Sequence, residues 1–207
     1  MHIHTLLLFS IACLSINLIP GPDVIYIVSN TIKGKITSGL KAALGLGMGY
    51  FLHTLAACLG LSAIILSSVT AFSIIKWLGA LYLLYLGIMS LTSMYQGHSK
   101  LSEINDFRQQ NIFKQGVIIS VLNPKVALFF LSFLPQFIEI SNHSVNTQLF
   151  FLGLIFSILA TLCNLIYAIM GNWLLTSSKS SRYSRILDGI SGILLVGLAG
   201  KIAFGER

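Results

Sequence analysis

Two prolines interrupt apolar stretches that are otherwise long enough to cross a membrane, and they fall at matching places in the two halves of the chain. The run Pro20-Gly21-Pro22-Asp23 lies inside the stretch from Leu6 to Val28, and Asn123-Pro124-Lys125 lies inside the stretch from Gly116 to Phe137. Proline lacks a backbone N–H and clashes with the preceding turn, so a helix stops or kinks there. Each break also brings an ionisable residue, Asp23 or Lys125, to membrane depth. Interrupted hydrophobic segments at corresponding places in two halves are the sequence pointer to the site of a secondary transporter.

The remaining composition places the chain in lipid. Hydrophobic residues make up 55% and charged residues 9%, with a mean hydropathy of +0.85. A soluble domain carries roughly a quarter charged residues, so this chain lacks the polar surface to cover a globule. The net charge of +7 does not indicate a nucleic-acid partner, because the basic residues sit in short connections with no basic run interleaved with aromatics. Only His2 and His4 precede the first apolar run and no small-x-small cleavage pattern follows it, so that run reads as a retained span. Cys13, Cys58 and Cys163 are odd in number, form no C-x-x-C pair and lie in apolar segments. They read as small buried residues rather than a disulfide framework or zinc site.

A span needs about 20 mainly apolar residues. Six stretches meet this, near 4–29, 38–66, 70–95, 113–137, 147–174 and 185–204. The expected fold is an all-α integral membrane protein, a single transmembrane domain over 1–207, with helices one and four broken. The hydrophilic connection 96–111 divides it into half-repeats 1–97 and 110–207 of three spans each. Three is odd, so homologous halves enter the membrane in opposite orientations. Pro20 and Pro124 are 104 residues apart (124 − 20), and the second and third spans shift by a similar amount.

The connections after spans one, three and five hold Lys33, Lys35, Lys41, Lys100, Arg108, Lys114, Lys179, Arg182 and Arg185. The other side holds Lys76, Lys201 and Arg207. The positive-inside bias makes the first set cytoplasmic, which turns both termini outward. Gly45 and Gly49 form a GxxxG pair that lets helices approach closely. The glycine faces are compatible with tight internal packing, with sliding during transport, and with a homodimer.

At the first break, Pro22 suits the first position of a helix. The N–H groups after it lack partners one turn earlier and sit at the positive end of a helix dipole, where an anion such as a carboxylate is favoured. Asp23 reads either as a helix-start acid or as a carboxylate that binds an ammonium or carries a coupling proton. At the second break, Asn123 is a good N-cap and Pro124 fits the position after it. Lys125 then falls in a first turn, where the dipole disfavours a cation, and so needs an anionic partner. That partner is either Asp23 or a substrate carboxylate.

His53 and Asn164 lie mid-span in segments two and five. His53 is a hydrogen-bonded packing residue or a proton relay. No second His or acid lies at metal-ligand spacing, and nothing in the sequence calls for a cofactor. The candidate substrate-binding residues are therefore Pro20, Gly21, Pro22, Asp23, Asn123, Pro124 and Lys125, with Asp23 and His53 the candidates for proton coupling.

These motifs resemble the LysE/RhtB amino-acid exporters. The resemblance is carried by Pro20-Gly21-Pro22-Asp23, the glycine-rich span from Gly39 to Gly60, Trp77-Leu78-Gly79-Ala80-Leu81-Tyr82-Leu83, Leu122-Asn123-Pro124-Lys125 and Leu187-Asp188-Gly189-Ile190-Ser191-Gly192. It implies a bacterial inner-membrane protein, not an enzyme, that exports a neutral amino acid or derivative (homoserine-, threonine- or leucine-like) by proton antiport. Two other classes share the shape. A cation or metal efflux protein would want more membrane acids or His residues than Asp23 and His53. A membrane thiol relay would want a reactive cysteine at each break, and the fourth span has none.

Overall fold

The computed structural model of the chain describes residues 3–19, 21–61, 69–96, 111–139 and 144–176, together with 186, 189, 190, 192–197, 199 and 200. Among these residues there is helix and no strand. The helices are α1 (Ile3–Leu18), α2 (Pro22–Ala56), α3 (Val69–Gln96), α4 (Ile112–Val121), α5 (Pro124–Leu128) and α6 (Val145–Thr176). A π-helical turn, Ala57–Leu61, extends α2, and π and 3-10 turns carry α5 on through Phe129–Phe133 and Leu134–Phe137. Pro20 lies outside the described residues, as do the connection 97–110, the end of the second apolar stretch at 62–68, and Asp188.

Segment α2 is a hairpin rather than a rod. Its helical backbone fails at Gly34 (φ −125°, ψ 20°) and Lys35 (φ 64°, ψ −178°). Gly39 lies directly against the Thr31 side chain, although eight residues of straight helix would separate them by about 12 Å. Likewise Tyr50 reaches Asp23 at 3.4 Å, where a continuous helix would hold them about 40 Å apart. The stretch Pro22–Gly60 is long and apolar enough to span a membrane, but the hairpin makes it two antiparallel arms, 22–33 and 36–56.

Helix α6 meets the same length and hydropathy requirement over Val145–Gly171, and Ile112–Val121 with Pro124–Phe137 meets it as one segment bent by 46°. Their outward faces are as apolar as their cores. On α1, Ile3, Leu7, Ile11 and Leu14 are exposed while Phe9, Ala12, Cys13 and Ile16 are buried. On α6, Ile158, Leu162, Ile166 and Ile169 are exposed opposite Leu149, Leu152, Phe156 and Ala160. Apolar stripes on both faces of a helix match a protein solvated by hydrocarbon.

Small residues set the close approaches. A side chain at Gly45 would strike the Phe113 carbonyl, one at Gly49 the Ser120 side chain, and one at Gly116 the Ala42 carbonyl at 2.9 Å. The Gly45/Gly49 pair is thus occupied by α4 of the same chain. The 36–56 arm also runs antiparallel to α6, with Gly47 opposite Thr161 and Thr54 opposite Gly153. Gly87 against Val196 and Gly189 against Met94 set α3 antiparallel to the C-terminal helical residues. An aromatic core fills the centre: Phe129 stacks on Phe156 with ring centroids 4.6 Å apart, and Tyr50 meets Phe156 edge-on at 5.6 Å.

Candidate functional site

Both breaks start a helix in the same way. Pro22 and Pro124 each take the first helical position, preceded by an extended residue, Gly21 or Asn123. Proline suits this place because its missing N–H would be unpaired there anyway. Asp23 and Lys125 then occupy the second position, 102 residues apart. It is therefore Pro22, rather than Pro20, whose place corresponds to that of Pro124. Asn123 caps its own helix, its Oδ1 accepting from the Lys125 N–H at 3.0 Å. Gly21 makes no side-chain cap. A Cβ there would sit 2.8 Å from Asp23 Oδ1 and 3.1 Å from Lys125 Nζ, so glycine keeps the space that these two side chains occupy.

The two side chains meet across the breaks. Lys125 Nζ lies 3.3 Å from Asp23 Oδ2 and 3.4 Å from Oδ1, with Asp23 1% and Lys125 7% exposed. The ammonium also donates to the Ile19 carbonyl at 3.1 Å, just past the C-terminal end of α1. The sequence places Lys125 against the dipole of its own helix. The long side chain resolves this by reaching the negative end of another helix, while Asp23 stays at the positive end of α2.

Two further residues extend the pair. The Tyr50 hydroxyl donates to Asp23 Oδ2 at 3.4 Å and accepts from Asn164 Nδ2 at 2.9 Å. Sequence reading gave Tyr50 no role and marked Asn164 only as a mid-span polar residue. Each was legible as a polar group at membrane depth, but the contact between them depends on how the 36–56 arm and α6 are set against each other.

His53 does not join this group. Its Nε2 lies 3.1 Å from the Ser120 carbonyl, and its ring stacks on Phe130 at 5.5 Å. The reason is backbone chemistry: Ser120 is four residues before Pro124, which has no N–H to return. The Asn123 N–H takes part of that carbonyl at 3.1 Å, and His53 supplies a second donor. The first break is treated alike. Leu18 is four residues before Pro22, and the Tyr167 hydroxyl donates to its carbonyl at 3.2 Å. On its other side His53 borders a cavity of about 370 Å³, otherwise lined by Ala56, Ala57, Gly60, Ala127, Phe130 and Leu131.

Among the described residues no group of three His, Cys, Asp or Glu side chains is placed to hold a metal ion. Among the described residues Cys13, Cys58 and Cys163 form no disulfide, and Cys13 and Cys163 are buried.

The family model of the LysE type translocators matches residues 14–205. The chain belongs to the LysE type translocator family. The uncharacterized membrane protein YrhP of Bacillus subtilis (strain 168) is 34% identical over 206 residues, covering 96% of this chain and 98% of that one. Leucine efflux proteins of Salmonella choleraesuis and Salmonella typhimurium are each 29% identical over 199 residues, covering 94% of this chain and 92% of theirs. No solved structure matches. As a LysE type translocator with long apolar helices, the chain is a multi-pass membrane protein of a transporter family rather than an enzyme family.

Proposed function

We propose that this LysE-type protein is a secondary transporter that exports a neutral amino acid or close derivative from the cytoplasm across the bacterial inner membrane, in exchange for protons. The observation that carries the reading is the buried Asp23–Lys125 pair at two facing helix breaks. The pair offers one carboxylate and one ammonium with no net charge, which is the complement of a zwitterion. A substrate carboxylate takes Lys125 and the N-terminal end of α2 near Pro22, while its ammonium takes Asp23. Gly21 and Asn123 shape the breaks around it. The leucine efflux relatives favour a leucine-like substrate, and the motif resemblance extends the class to threonine- and homoserine-like substrates.

Of the two proton-coupling candidates, the geometry favours Asp23. It lies where substrate and proton compete for one carboxylate, whereas His53 is committed to the Ser120 carbonyl.

The architecture that suits this cycle is six spans in two inverted halves, rocking about a site at the midplane. Support comes from contacts that repeat at a constant offset. Gly39 lies against Ala168, and Thr54 against Gly153; 153 − 39 and 168 − 54 are both 114. The facing pairs Gly47 with Thr161 and Tyr50 with Asn164 are also 114 apart (161 − 47 and 164 − 50). Each thus joins a residue to its own counterpart, as Asp23 and Lys125 do at 102. In inverted halves the midpoints of such self-pairs fall on the twofold axis, at equal depth from both membrane faces. The exposed Lys33, Lys35 and Lys41 around the α2 turn favour a cytoplasmic turn and outward termini, by the positive-inside bias.

The test is efflux from cells loaded with dipeptides of neutral amino acids. Expression of the protein should speed the appearance of one or more of these amino acids outside. No gain for any of them would remove the reading.

A further inference from the structure

Among the described residues Asp23 has two side-chain donors, and neither is close. The Lys125 ammonium lies at 3.3 and 3.4 Å and the Tyr50 hydroxyl at 3.4 Å. Charge-assisted bonds of these kinds run to about 2.9 Å at most. The groups behind both donors are held more closely. The ammonium has the Ile19 carbonyl at 3.1 Å, and the Tyr50 oxygen receives Asn164 Nδ2 at 2.9 Å. The Tyr50 ring is fixed edge-on to Phe156, and both Tyr50 and Asn164 are fully buried. The carboxylate is shared between two anchored donors and saturated by neither.

This arrangement answers a difficulty in the exchange of partners. When a substrate carboxylate draws Lys125 away, Asp23 loses its cation inside the protein, and an unpaired buried charge is strongly unfavourable. The Tyr50 hydroxyl is the donor that stays. We propose that Tyr50, oriented by Asn164, is a positioning residue of the substrate site: it holds Asp23 by Oδ2 so that Oδ1 is presented to the substrate ammonium. This rests on the zwitterion site proposed above. The plainer role is a core aromatic whose hydroxyl simply needs a partner, and the two roles differ in what they do to binding.

The experiment is counterflow of labelled leucine in proteoliposomes of the purified full chain, with 4-methylpentanoate, which is leucine without its ammonium, as a competing ligand. Tyr50→Phe keeps the ring and removes only the hydroxyl. Its leucine KM should rise about tenfold, as for a lost hydrogen bond to a charged group, with the maximal rate within about twofold. Inhibition by 4-methylpentanoate should weaken by about a hundredfold, more than for leucine, because that ligand draws Lys125 away and brings no ammonium, so that Asp23 loses its remaining donor once the Tyr50 hydroxyl is gone. Asn164→Ala, which leaves Tyr50 in place, should shift the leucine KM in the same direction by about threefold, and decides the matter if Tyr50→Phe does not reach the membrane. A wild-type leucine KM in these variants, or equal losses for leucine and 4-methylpentanoate, overturns the role of Tyr50. If Asp23→Asn and Lys125→Met themselves keep a wild-type leucine KM, the underlying site is what has failed.

Discussion

Asp23 and Lys125 each stand one residue after a helix-starting proline, and their side chains meet 3.3 Å apart in the buried centre of the protein. A buried ion pair differs from a surface one in what happens when half of it is lost. The remaining charge has no water to turn to, and the loss is about 3–5 kcal/mol. Removing both charges together leaves no such orphan. Asp23→Asn and Lys125→Met should therefore each lower the unfolding temperature of the purified protein sharply, and the double variant should recover most of it. A double variant as unstable as the singles would show that the two do not act as a pair.

The Ser120 carbonyl gives His53 a structural task. Glutamine keeps an N–H donor on a side chain of similar reach, while phenylalanine keeps the stacking on Phe130 and loses the donor. His53→Gln should stay close to wild type in both stability and efflux, and His53→Phe should lose about 1 kcal/mol, the typical net worth of one hydrogen bond. Thermal unfolding and whole-cell efflux check both. Loss of proton-driven efflux in a stable His53→Gln protein would restore the relay that the sequence left open.

Gly45 faces the backbone of α4, which cannot swing aside as a flexible side chain does, whereas among the described residues nothing lies within 4 Å of a Cβ at Gly60. Gly45→Ala should destabilise by about 1–3 kcal/mol through overpacking. Gly60→Ala should be close to neutral. Comparison of the two unfolding temperatures is the check, and equal effects would contradict the close packing of α4 on the 36–56 arm.

Lys35 turns the α2 hairpin with φ 64° and ψ −178°, a region essentially reserved for glycine and unfavourable by about 1–3 kcal/mol for other residues. Lys35→Gly should raise stability by about 1 kcal/mol, net of the entropy glycine adds to the unfolded chain. Lys33 and Lys41 keep the turn basic. Destabilisation by Lys35→Gly in thermal unfolding would argue that the turn is not formed as described.

Several of these features were legible in the sequence because their causes are local. Proline dictates a break wherever it stands, so the interruptions at Pro22 and Pro124 could be read from composition and spacing alone. The ionisable residue beside each break followed, and with it the choice between mutual pairing and substrate binding. Which side chains meet across the fold was not legible from spacing: those at the two breaks are 102 residues apart, and Tyr50 and Asn164 are 114 apart (164 − 50). Both contacts depend on the tight turn at Gly34 and Lys35, which folds α2 back on itself. The donors at the carbonyls left by proline were half legible. Leu18 and Ser120 follow from counting back four residues, but Tyr167 and His53 come from helices whose placement only the tertiary packing fixes.

Asp23 and Lys125 act here as the substrate site and not only as an internal brace. The double variant Asp23→Asn/Lys125→Met separates these, since it removes both charges without leaving one unpaired. Wild-type protein and the double variant should be reconstituted side by side and assayed for counterflow of labelled leucine, threonine and homoserine. The wild type should accumulate at least one of them, and a double variant of near-normal stability none. Wild-type counterflow by that folded double variant would contradict the substrate-site role.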